Sequence, residues 1–246
     1  MSKLLTALAM TQSMFCAIPL PLRKWEEGAS SHMMVWLTVI GLEIGLGWFG
    51  LFSLLESGSV PGLIGAAILS VFPFLMTGMI HLDGYLDVVD AVCSWRDAQR
   101  RREILKDPHV GSFAVVWCGI LMLLQFAAFG SMEHGSPVLI LIPVVSRSLA
   151  SVAVMTKPPM PSSQYSGEIR YPKSHRILLW GIVILSTGIC ITLWKTAGLA
   201  LLGVIAGHFW ALRRGFRSLE GMNGDIAGFC ITVSELCGVV TLALAG

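Results

Sequence analysis

Ten residues, His81-Leu82-Asp83-Gly84-Tyr85-Leu86-Asp87-Val88-Val89-Asp90, hold the one dense acidic cluster in this chain of 246 residues. On a helix through residues 81–91, Asp83 and Asp87 stand four apart and Asp87 and Asp90 three apart. That spacing puts three carboxylates on one face, within reach of a common centre. Like charges so placed repel unless a cation lies between them. Aspartate oxygens are hard ligands, and with no His or Cys in register they suit Mg²⁺ or Mn²⁺, ions that bridge to phosphates. The chemistry expected is therefore metal-assisted reaction of a phosphorylated substrate at a membrane surface. The plainer alternative is a solvated helix end with Asp83-Gly84 as a turn. Three aspartates, where Lys, Ser or Asn would serve solubility equally well, weigh against it.

Two further stretches could share that chemistry. After the cluster come Arg96, Arg100, Arg101, Arg102 and Lys106, which would clamp phosphate oxygens through bidentate guanidinium contacts. The same run is what a loop facing anionic headgroups requires, and the two readings stand level. Asp107 is either a fourth carboxylate of the site or the partner of Arg101 or Lys106. Near the C-terminus, Glu220-Gly221-Met222-Asn223-Gly224-Asp225-Ile226-Ala227-Gly228 feeds an apolar run. A glycine-rich turn entering a helix offers free backbone N–H groups to phosphate. Asp225 there either caps the helix, the default, or completes the metal site. Glu43, Arg147 and Glu235 fall inside apolar segments, where a charge costs at least about 2.5 to 3.5 kcal/mol on insertion scales. Arg147 either neutralises a substrate phosphate or pairs with Glu235.

The elements that must position these groups are membrane helices. The chain is 54% hydrophobic and 13% charged, against roughly 25% charged in soluble proteins, and its mean hydropathy is +0.74. The fold class expected is all-α, a polytopic helical bundle forming a single domain over residues 1–246. Apolar runs at 33–55, 60–82, 111–130, 137–156, 177–194, 197–212 and 224–245 predict about seven spans. Residues 4–20 are too short to cross and predict a re-entrant or interfacial helix, with a signal peptide ranked lower. Basic residues gather in alternate loops, and only Lys195 breaks the pattern, so the positive-inside rule places the acidic cluster on the cytoplasmic side and the C-terminus outside. The Pro-rich stretch 156–172 predicts a loop that covers the site. Six cysteines without a CxxC pair read as small buried hydrophobes. The basic loops lack interleaved aromatics, which argues against nucleic acid.

Taken together these motifs resemble the cobalamin synthase family of adenosylcobinamide-GDP ribazoletransferases. That family carries H-x-DG-x-x-D-x-x-D, matched by His81 to Asp90. Its basic stretch ending in (I/M)-(K/R)-D-x-x-x-G-(T/S) is matched at residues 104–112. The Ser146-Arg147 pair stands for its mid-span arginine. Gly221 to Gly228, followed by Glu235, fits its G-x-x-GD-x-x-G…E, and Ile18-Pro19-Leu20-Pro21 its N-terminal LPxP. Leu86, Ala91 and Asn223 stand where the family usually has Ala, Gly and Thr.

The resemblance implies transfer of phosphocobinamide from adenosylcobinamide-GDP to α-ribazole or its 5′-phosphate, with release of GMP, at the inner face of a bacterial inner membrane. It implies Mg²⁺ held by Asp83, Asp87, Asp90 and Asp225. Asp90 or His81 would serve as a further catalytic group. Arg101, Arg102, Lys106, Arg147, Asn223 and Gly224 would bind substrate. Membrane lipid surrounds the protein, and monomer and homo-oligomer both fit. The rivals are a CDP-alcohol-type phosphotransferase, whose DGxxAR is broken by Leu86-Asp87, an aspartate-rich prenyltransferase, which needs two clusters, and a cation-coupled transporter, whose carboxylates would lie nearer the midplane.

Overall fold

A computed structural model describes residues 3–18, 25–58, 60–160 and 169–245. The described chain forms ten α-helices, namely α1 (Lys3–Phe15), α2 (Ser30–Ser57), α3 (Gly62–Met76), α4 (Ile80–Cys93), α5 (Ala98–Ile104), α6 (Ser112–Ser131), α7 (Val138–Thr156), α8 (Lys173–Gly198), α9 (Ala200–Leu219) and α10 (Gly224–Ala245). No strand occurs among the described residues, so the all-α bundle stands. Helices are the expected solution in lipid, because each satisfies its own backbone groups where no water is available.

The expected span at 60–82 ends early. Thr77, Gly78 and Met79 break it, with φ of 58° at Gly78 and 66° at Met79, and α4 leaves at 93° to α3. The carbonyls freed at the end of α3 are taken up locally, Thr77 Oγ1 donating to Pro73 O at 3.0 Å and Met79 N–H to Phe74 O at 2.8 Å. The acidic cluster therefore has a helix of its own and is not the tail of a span. Among the described residues, five helices are long and apolar enough to cross a bilayer, or six if α3 and α4 count as one broken span. About seven are expected from the sequence. The shortfall is α9, whose last turns carry Arg213, Arg214 and Arg217.

The helix expected to be re-entrant or interfacial, α1, packs Ala7, Met10 and Phe15 against Met33, Met34 and Leu37 of α2. Lys3 lies close to Gly28, just before α2, while at the other end Ala17 N–H donates to Met76 O at 2.8 Å. The residues just after α1 thus meet the end of α3.

Packing centres on α7, nearly every turn of which is buried. Gly41 and Gly45 let α2 lie on it, since an added Cβ would stand 2.5 Å from Pro143 O and 2.1 Å from Ile140 O. Close approach through small residues is how membrane helices associate when apolar burial offers little drive. Polar links lock the rest, with Trp48 Nε1 donating to Leu69 O at 2.8 Å and Gln125 Nε2 to Ser70 O at 3.0 Å. Three basic loops share one end of the bundle. Arg102 Nη1 donates to Leu219 O, joining α5 to the end of α9. Met160 N–H donates to Met222 O at 2.8 Å and Met222 N–H to Pro158 O at 2.9 Å, which ties the loop after α7 to the entry of α10. Residues 19–24 and 161–168, which include most of the LPxP motif and the middle of the loop expected to cover the site, lie outside the described residues.

Candidate functional site

The site forms where α4 crosses the first turns of α10. An added Cβ at Gly84 would lie 2.8 Å from Asp225 Cα, and one at Gly228 would lie 3.0 Å from His81 O. Only glycine admits this crossing, and it carries Asp225 to the acidic face of α4. Thr232 Oγ1 donates to His81 O at 3.2 Å and fixes the register.

At the entry of α10, Asn223 does two jobs. Its Oδ1 accepts the Ile226 N–H at 3.0 Å, and its Nδ2 donates to Asp225 Oδ2 at 2.6 Å. The cap is therefore Asn223, and Asp225 keeps a carboxylate oriented toward α4. Thr, the usual family residue at this position by the resemblance, is also an N-cap former. The negative charges nearest Asp87 are those of Asp83, Asp225 and Asp90. No ion pair engages any of the four among the described residues.

A cavity of about 300 Å³ opens beside them, lined by Asp83, Asn223, Gly224, Asp225, His81 and Lys106. Its remaining wall is apolar and comes from helices distant in sequence, including Phe15 of α1, Leu37 of α2 and Ala150 of α7. Phe15 stacks against His81 at 6.0 Å between ring centroids, and His81 Nδ1 has no partner among the described residues. The apolar wall has no signature in the sequence beyond ordinary hydrophobic runs. The glycines at 84 and 228 do, as small residues inside helices.

Five expected site residues do not line this cavity. Asp87 follows one turn after Asp83 and is half-buried. Asp90 is turned toward Gly111 at the start of α6, where an added Cβ would sit 2.1 Å from either carboxylate oxygen. Among the described residues no three His, Cys, Asp or Glu side chains gather closely enough to hold an ion between them, while the charges of Asp83, Asp225 and Asp90 all act on Asp87. Arg102 donates to Glu220 Oε2 at 2.8 Å, and Arg101 lies on the same short helix with its Nε unpartnered. Of the two roles open to Arg147, the structure displays the ion pair: the side chain is 1% exposed and bonded to Glu235. Asp107 takes neither expected role, accepting instead from the His109 ring at 2.7 Å on the surface.

The donors that remain fit Mg²⁺. That ion is commonly held by one or two carboxylates and completes its shell with water and substrate phosphate. Asp83 and Asp225 offer two hard oxygen ligands on one cavity wall, with Lys106 on the same cavity.

Comparison with known proteins agrees with this picture. The model of the Cobalamin-5-phosphate synthase family matches residues 7–243. An adenosylcobinamide-GDP ribazoletransferase of Clostridium perfringens (strain SM101 / Type A) is 34% identical over 244 residues, covering 97% of each chain. One of Clostridium botulinum (strain Alaska E43 / Type E3) is 31% identical, covering 99% of each. One of Lachnoclostridium phytofermentans is 30% identical over 99% of this chain and 95% of its own. No solved structure matches. A family match that runs through every helix and includes each motif around the cavity leaves one assignment: this chain belongs to the cobalamin-5-phosphate synthase family.

Proposed function

We propose that this chain is an adenosylcobinamide-GDP ribazoletransferase that joins the phosphocobinamide group to α-ribazole or its 5′-phosphate, with Mg²⁺, at the inner face of a bacterial membrane. The observation that carries the reading is the pair Asp83 and Asp225, unpaired carboxylates of two helices facing one cavity with Lys106. The reaction breaks the phosphoanhydride bond to GMP and forms a phosphoester to the incoming ribose oxygen. Charge grows on the departing phosphate, and catalysis depends on meeting it with fixed positive groups. Asp83 and Asp225 would hold the Mg²⁺, which supplies Lewis-acid neutralisation of that charge. Lys106 adds a cation at the same cavity, and Gly224 brings the first amides of α10 to it. The hydroxyl proton must go to a base, and His81 lines the cavity with a free ring nitrogen. The apolar wall keeps water from intercepting the activated group.

The test is to incubate purified protein in detergent with GDP-activated cobinamide and α-ribazole or α-ribazole phosphate, with Mg²⁺ or with EDTA. Joined corrinoid and GMP in equal amounts, formed only with Mg²⁺ and lost in Asp83→Asn, are expected. Full turnover by Asp83→Asn, or turnover indifferent to EDTA, would overturn the reading.

A further inference from the structure

A second cavity, of about 430 Å³, lies on the other side of α7. While Ala150 and Val154 face the carboxylate site, Leu149, Val152 and Ala153 face this second space, which α8 and α9 close. Its size is that of a ligand site, and none of the groups assigned to the transfer reaction lines it.

Three observations define what would fill it. Lys157, Arg213 and Arg217 line it at the basic end of the bundle, and none of them is in an ion pair among the described residues. Its body is aromatic and opens sideways, with Trp180 38% exposed and Phe209 49% exposed. His208 lines it at 1% exposure, with Nδ1 unpartnered among the described residues. At about 1.5 Å per residue, Phe209 sits about 12 Å along α9 from Arg217. A slot of that length runs from the headgroup layer into the acyl region of a bilayer.

The geometry points to a bound anionic phospholipid. Its phosphate lies among Lys157, Arg213 and Arg217, its ester oxygens lie toward His208, and one acyl chain leaves past Trp180 and Phe209 into the membrane. Basic pockets between membrane helices on this face are suited to anionic headgroups. Inorganic phosphate would satisfy the cations alone and leave the aromatic body and the buried histidine without a counterpart. An excess of positive charge at this end accounts for the arginines, but not for a buried, unpartnered histidine below them.

Native mass spectrometry of the full chain with phosphatidylglycerol or phosphatidylcholine tests this, with melting temperature in phosphatidylcholine as the check on folding. Wild type is expected to retain one phosphatidylglycerol, at least about tenfold over phosphatidylcholine. Arg213→Gln with Arg217→Gln should weaken retention about 25-fold, at about fivefold per cation near an anionic surface. Trp180→Ala, which leaves every charge in place, should weaken it severalfold. Arg96→Gln with Arg100→Gln removes the same charge outside the slot and should change nothing. Equal losses in the two double variants, equal retention of the two lipids, or displacement of the lipid by equimolar inorganic phosphate would each overturn the proposal.

Discussion

Helix α10 carries two acidic residues in opposite circumstances. Glu235, deep in the bundle and 5% exposed, is bonded to Arg147 and accepts from Ser146 Oγ at 2.8 Å. Asp225, ten residues earlier, has only Asn223 and lies beside the α4 carboxylates on the wall of a cavity. A charge in a membrane protein is affordable when the fold completes its shell, and Glu235 shows that completion. Asp225 shows its absence. Repulsion among Asp83, Asp87 and Asp225 is tolerated by the fold, and on the proposed reading a bound cation would relieve it. The first pair is structure, and the second is capacity for a ligand.

Exchanging the two circumstances sharpens the contrast. The largest effect is expected from Asp225→Asn, which should lower kcat by about 10³-fold or more, as loss of a key electrostatic contributor does. Its melting temperature should hold or rise, because one repelling charge is gone; a fall of several degrees would place Asp225 with Glu235 as structural. Next comes Glu235→Leu, which strands a buried guanidinium and should cost about 3 to 5 kcal/mol of stability. Adding Arg147→Met should recover most of it, as measured by thermal unfolding in detergent; no recovery would mean that Arg147 has work beyond its partner. Smallest is Asn223→Ala, which removes a cap at about 1 kcal/mol and frees the Asp225 carboxylate. Asn223→Thr restores the cap but not the amide donor to Asp225. It should therefore match wild type in stability while separating the two roles in kcat.

Much of this was legible in the chain. The acidic helix follows from i, i+4 spacing alone, and the entry of α10 from its Gly-Asp turn. The length of residues 4–20 marked α1 as too short to span. The break at 77–79 was hidden because the apolar run continues through it, and only Gly78 marks the left-handed turn, while Met79 adopts φ 66° against its own preference. That one turn decides whether the aspartates extend a span or cross α10. The choice of Asn223 over Asp225 as cap is a contest between two capable residues two positions apart, settled by which one faces α4. Pairing with Glu235, 88 residues from Arg147, is one of two roles the sequence leaves open for that arginine, and only packing chooses between them. The turning of Asp90 toward Gly111 depends on where α6 begins, which local pattern does not carry. Family membership was legible because the motifs occur together, in order, along nearly the whole chain that the family model matches.

The tip of α1 has a practical consequence. A helix of 13 residues is a stiff rod, and the Phe15 at its inner end rests on His81. A purification handle fused ahead of Lys3 would therefore sit on the helix whose other end lines the carboxylate cavity, whereas one after Ala245 would hang from the far end of α10. Recombinant preparations should be tagged at the latter end before any rate is compared between variants.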